Sequence, residues 1–166
     1  MKCSTCGEEH DLLEPTFRRP DAVVSLPAAE RAARVKEGDD LCAIWAKAVG
    51  EPHRYFVRCL LPVRLLDAEG DTAWGIWAEV GEVDFRRIVD KWSDPEQASV
   101  PPMDAVLANR VRDYPETIGL PAKLRLTGPT TRPELTFDRS SVHPFAVECE
   151  NGVSTHRVME WLQKRG

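Results

Sequence analysis

Apolar and polar positions alternate most regularly in the middle of the chain. The run Tyr55-Phe56-Val57-Arg58-Cys59-Leu60-Leu61-Pro62-Val63 is rich in aromatic and β-branched residues and predicts a strand, with Pro62 expected to end or bulge it. A turn cluster, Asp67-Ala68-Glu69-Gly70-Asp71, follows, and residues 74–80 read as the returning strand of a hairpin. Period two then sets Trp74, Ile76 and Val80 on one face, with Trp77 and Glu79 on the other. Immediately afterwards the period changes, because Phe85, Ile88, Val89 and Trp92 fall at i, i+3, i+4 and i+7 and predict a helix that stops before Pro95.

Outside this centre the signals are shorter. Ser25 and Pro27 predict the cap and first turn of a helix over residues 26–37, with Gly38 as its stop and a strand over 41–45 after it. Residues 93–104 carry three prolines and predict a loop. Short apolar runs at 105–111, 122–127, 135–138 and 145–149 predict further strands, and Ser154 caps a last helix with an apolar face of Val158, Trp161 and Leu162. No regular strand-helix-strand alternation exists. The predicted fold class is therefore α+β, a mainly antiparallel sheet with flanking helices and an N-terminal turn like a zinc knuckle. At 166 residues the chain has the length of one domain. That domain divides into a metal-knuckle segment at 1–12, a sheet-rich body at 39–150 and a helix at 154–165.

Composition narrows the function classes. No apolar run reaches the roughly 18 residues of a membrane span, and the first ten residues lack the apolar stretch of a signal peptide, so a cytoplasmic protein is expected. The formal net charge is −5, from 27 acidic and 22 basic residues, which argues against nucleic-acid binding. Sixteen of the basic residues are arginine, scattered without a run, as on a solvated or ion-paired surface.

Five cysteines in a reducing compartment point to free thiols or metal ligands rather than disulfides. Cys3 and Cys6, with Gly7 directly after, have the spacing of half a tetrahedral zinc site. His10 is the expected third ligand and Cys42, after the Gly38-Asp39-Asp40 turn, the fourth. Thiol exchange at the same pair and inert thiols are the competing readings. Cys59 and Cys149 read as small buried hydrophobes.

Several short motifs recur in order along the chain: Cys3-x-x-Cys6-Gly7-x-x-His10, Asp40-Leu41-Cys42, Phe56-Val57-Arg58, Pro62-Val63, Trp74-Gly75-Ile76-Trp77, Tyr114-Pro115-x-Thr117, Arg132-Pro133 and residues 143–148, His-Pro-Phe-Ala-Val-Glu. Together they resemble the bacterial proteins grouped as domain of unknown function 2199, over nearly the whole chain. The resemblance implies a small bacterial cytoplasmic protein of one domain and brings no activity or catalytic residues with it.

Candidate chemistry beyond the knuckle is sparse. No nucleophile-elbow serine and no His-Glu-x-x-His helix is present, which leaves a hydrolase without a starting residue. Arg58 reads either as the ion-pair partner of Glu79 or as the floor of an anion pocket. Trp77 reads as a core or groove residue, and His143 as a turn histidine bonded to a backbone carbonyl or as an acid/base group with Glu148. The first functional reading is a zinc-bearing module that binds a protein partner. The second is an enzyme or small-ligand protein with a pocket formed by Arg58, Trp77 and His143, and the third is an immunity protein that neutralises a toxin. Convergence of those three side chains favours the second reading, while their dispersal into core and turns favours the first.

Overall fold

The computed structural model describes residues 14–163. In chain order they form α1 (Asp21–Val24), α2 (Ala28–Arg34), β1 (Val35–Glu37), β2 (Leu41–Ile44), β3 (Arg54–Arg64), β4 (Asp71–Val80), α3 (Glu82–Lys91), a 3-10 turn at Gln97–Ser99, β5 (Met103–Leu107), β6 (Pro121–Arg125), β7 (Glu134–Phe137), α4 (Pro144–Asn151) and α5 (Thr155–Gln163). The class is α+β, and the seven strands make one sheet that curls into a small barrel.

The sheet is mixed, which corrects the mainly antiparallel expectation. Each strand pairs antiparallel with its successor, but β7 returns to lie parallel to β3, with Leu60 opposite Glu134. Parity requires this. From β3 to β7 the chain makes five up-and-down passes, so the fifth strand points the same way as the first and can close the ring only in parallel.

One edge of β3 serves several partners in turn. Residues 54–57 pair with β2. The Arg58 N–H then donates to the Asp40 carbonyl at 2.8 Å, and the Leu60 N–H donates to the Pro133 carbonyl at 2.8 Å. Farther along, the Arg64 carbonyl accepts from Val153 N–H at 2.9 Å. The nitrogen of Pro62 falls between the last two contacts, where no donor is called for, so the strand runs on to Arg64 instead of ending at proline. Gly152, at φ +88°, brings Val153 in, and a Cβ there would meet the Arg64 carbonyl at 2.8 Å.

Alternation along β3 and β4 fills two cores. Val57, Cys59, Leu61, Ile76 and Ala78 point into the barrel with Leu107, Leu124 and Leu135. Cys42, Ile44, Phe56 and Trp77 face outward and are covered by Val23 of α1 and by Ala108. Burial on both faces explains why β3 reads as a nearly continuous apolar run.

Three local expectations are corrected. Residues 145–149 form α4 rather than a strand: Pro144 occupies the first turn, the His143 side chain accepts from Phe145 N–H at 3.2 Å, and the buried Phe145, Ala146 and Cys149 share a helical face. Ser25 ends α1 instead of capping the next helix, and α2 stops at Arg34. Residues 35–37 pair with β2 as a strand, because the alanine-rich segment has little apolar surface to hold a longer helix in place. Ser154 caps as expected, its Oγ accepting from Arg157 N–H at 3.1 Å.

On its far edge β4 meets β5 only at Ala78 and Glu79. Beyond them Ala108 N–H donates to the Trp77 carbonyl, and the fully buried Asn109 uses Oδ1 to accept from Trp77 N–H at 2.8 Å. Asn109 Nδ2 donates to the Arg19 carbonyl at 2.9 Å and to Asp21 Oδ1 at 3.0 Å. Gly75 then pairs with residues 15 and 17, and a Cβ at Gly75 would meet Thr16 Oγ1 at 2.8 Å. Asn109→Ala should destabilise the chain by about 3 kcal/mol, since it strands a buried N–H and frees the N-terminal strap. A urea-unfolding free energy that falls by less than about 1 kcal/mol would show that the amide is replaceable.

Candidate functional site

The barrel mouth where β3 begins and β4 ends opens into a cleft of about 1020 Å³. Its floor contains Val80, Ala105, Ala122 and Phe137. Ala105 and Ala122 stand opposite each other in the β5–β6 register, and this facing pair of small side chains leaves the mouth hollow. The alternate residues of the same strands rise to the rim.

That rim is rich in carboxylates. Arg54 donates from Nε and Nη2 to the two oxygens of Glu79 at 2.8 and 2.7 Å, and Lys123 pairs with its cross-strand neighbour Asp104. Glu82 is taken by Arg86 at 2.8 Å. Among the described residues Glu51 accepts only a backbone N–H, from Lys47, and Asp138 accepts from Ser140 Oγ and N–H at 2.6 and 2.8 Å. Those two bonds hold the Asp138 carboxyl below its usual range, so it stays ionised. Among the described residues neither Glu51 nor Asp138 forms an ion pair, although Lys123, already paired with Asp104, lies near enough to Asp138 to help keep it ionised, and the cleft is acidic over an apolar floor. His53 at its edge accepts from Ala46 N–H at 2.8 Å and meets the Trp45 ring edge-on at 4.7 Å.

The residues singled out from the sequence are dispersed. Cys3, Cys6 and His10 lie outside the described residues. Cys42 is buried in the outer apolar cluster, and burial, with Glu37 nearby, pushes its thiol up to about 11. The structure thus places the expected fourth ligand in the core, where burial disfavours its free thiolate. Among the described residues no three of His, Cys, Asp and Glu gather as a metal site. Trp77 is buried, its Nε1 donating to the Phe17 carbonyl at 3.2 Å. Arg58 is its cross-strand neighbour, half-buried on the outer face, and does not pair with Glu79; the residue that does is Arg54, which sits one pleat from the end of the shared register. His143 caps α4 and its Nε2 meets the Glu116 carbonyl at 3.1 Å. The structure therefore brings Arg58 and Trp77 side by side and leaves His143 at a turn.

A further polar cluster went unread in the sequence. Tyr114 donates to Glu148 Oε2 at 2.7 Å and accepts from Arg157 Nη2 at 2.9 Å and Trp161 Nε1 at 3.0 Å, while Arg157 also binds Glu148 and Glu160. Burial and the neighbouring Glu148 raise the phenol, so Tyr114 keeps its proton. The cluster fastens α4 and α5 to the 108–120 loop and commits Glu148 away from His143. Its members come from three separated segments, and only the tyrosine beside a proline hinted at it.

No helix among the described residues is long and apolar enough to cross a membrane. No curated protein and no solved structure is significantly similar to the chain. A family model does match, over residues 2–153, that of uncharacterized proteins conserved in bacteria under the heading of domain of unknown function 2199. The chain belongs to that family.

Proposed function

We propose that the protein is a binding module whose partner is another protein, and that the barrel mouth receives a segment carrying an apolar side chain flanked by lysine or arginine. The observation that carries this reading is the pairing of an apolar floor with a rim on which Glu51, Glu79, Glu82, Asp104 and Asp138 outnumber Arg54 and Lys123. An apolar residue seated on Phe137 removes its surface from water, and the basic flanks meet the acidic rim. The dispersal of Trp77 into the core and His143 into a turn supports the same choice over a pocket formed with Arg58. A library of peptides that pair one large apolar residue with basic neighbours tests it. Selected peptides should shift the resonances of Ala105, Ala122 and Phe137, and the joint Glu51→Arg and Asp138→Arg change should weaken binding about tenfold or more. Affinity that survives the charge reversal would sink the proposal.

Zinc binding enters this reading on the spacing of Cys3 and Cys6 alone. Protein purified without added metal should then carry about one zinc per chain, lost in Cys3→Ser and Cys6→Ser. Cys42→Ser should retain it, because that thiol is held in the apolar cluster. A metal-free, freshly reduced wild type would remove zinc from the reading.

A further inference from the structure

Arg58 stands at the seam of the barrel, where β2 and β7 both begin against one edge of β3. Its own N–H reaches the Asp40 carbonyl at 2.8 Å, and two residues on Leu60 N–H reaches the Pro133 carbonyl at the same distance. The seam thereby gathers Arg132, the neighbour of Pro133, beside Arg58. Arg18 comes from the opposite side, because the preceding Phe17 carbonyl holds Nε1 of Trp77, the cross-strand partner of Arg58. Three guanidinium groups thus share one patch of the outer face.

Among the described residues two carboxylates, Asp39 and Asp40, face these three cations and leave one charge unmatched. Arg132 Nε already donates to Asp40 Oδ1 at 2.9 Å. Asp39 is exposed, and among the described residues neither Arg58 nor Arg18 forms an ion pair. Arg58 Nε is buried and, among the described residues, has no hydrogen-bond partner. Burial, then the charge of Arg132, and more weakly that of Arg18 oppose the Arg58 charge, and together they outweigh Asp40 and Asp39. A guanidinium keeps its proton regardless, so the opposition persists as a cost to the unliganded fold. An anion would remove that cost, and the planar donor fork of arginine suits a two-oxygen acceptor.

The geometry points to an oxyanion site at the barrel seam, in which Arg58, assisted by Arg18 and Arg132, binds a carboxylate or a phosphate group. This site lies apart from the acidic cleft and does not rest on the partner reading above. Among the described residues no hydrogen bond or ion pair uses the Arg58 side chain, since the strand pairing at that position is made by the backbone.

Thermal unfolding of the full chain at constant ionic strength tests the site, with sodium chloride as reference and sodium phosphate or sodium acetate as probe. Wild type should gain about 3 °C in Tm at saturating phosphate, acetate or both. A gain with phosphate alone identifies a phosphate ligand, and a gain with acetate alone a carboxylate. Arg58→Met should show a Tm in chloride at or above wild type, because an unpaired, partly desolvated charge has gone, and no gain with either anion. If that variant does not fold, Arg18→Ala decides: a gain cut by half or more supports the site, and an unchanged gain overturns it. A wild type indifferent to both anions, or a gain that survives Arg58→Met, also overturns it.

Discussion

The hydrogen bond from Leu60 N–H to the Pro133 carbonyl closes the barrel, and the placement of most other features follows from where it falls. An odd number of up-and-down strands forces the closing pair to be parallel, so β7 must begin where it meets β3. The same edge of β3 has already given residues 54–57 to β2, which also begins at the seam. Two strand beginnings therefore abut there, with Asp40 directly before β2 and Arg132 two residues before β7. Their ion pair, partly exposed on both sides, is worth at most about 1 kcal/mol, so it follows from the seam rather than producing it.

Closure also dictates how the second edge is managed. With β5 and β6 drawn round to complete the ring, β5 can accompany β4 only at its last residues, and the remaining edge of β4 would face an apolar environment unpaired. Asn109 meets the need with a side-chain amide that presents an acceptor to β4 and donors to the N-terminal strap. Leucine at that position would fill the space and satisfy neither side. Thr117 does a similar service for the same loop, accepting from Val111 N–H and donating to the Asn109 carbonyl at 2.8 Å each. The curvature of the barrel thus depends on two buried polar side chains outside its strands.

These dependencies explain what could be read in advance. The β3–β4 hairpin, α3 and the Ser154 cap were legible because their periods run long enough to separate helix from strand and because the hairpin turn is local. Residues 145–149 were too short for the period to decide, and Pro144 at the helix start was the better signal. Parallel closure, the strap on Gly75 and the Tyr114 cluster join segments far apart in the chain and leave no local mark. Register decided the rest. Whether Arg54 or Arg58 meets Glu79 depends on the exact pairing of β3 with β4, and the cleft depends on two alanines facing each other across β5 and β6.

The two arginines of β3 show how far identical chemistry diverges under register alone. Arg54 and Arg58 lie on the same face of one strand, about 13 Å apart along it, with Phe56 between them. Arg54 is neutralised by both oxygens of Glu79 and rests over the Phe56 ring at 5.3 Å from its centroid. Arg58 stands opposite Trp77, forms no ion pair among the described residues, and has its charge opposed by burial and Arg132 more than Asp40 and Asp39 support it. The net charge of −5 averages over this division, yet the molecule presents an acidic mouth and a basic seam within four residues of one strand. The charge that each end of β3 presents is a local field, and the pleat of β3 sets that field by deciding which guanidinium finds its counter-ion.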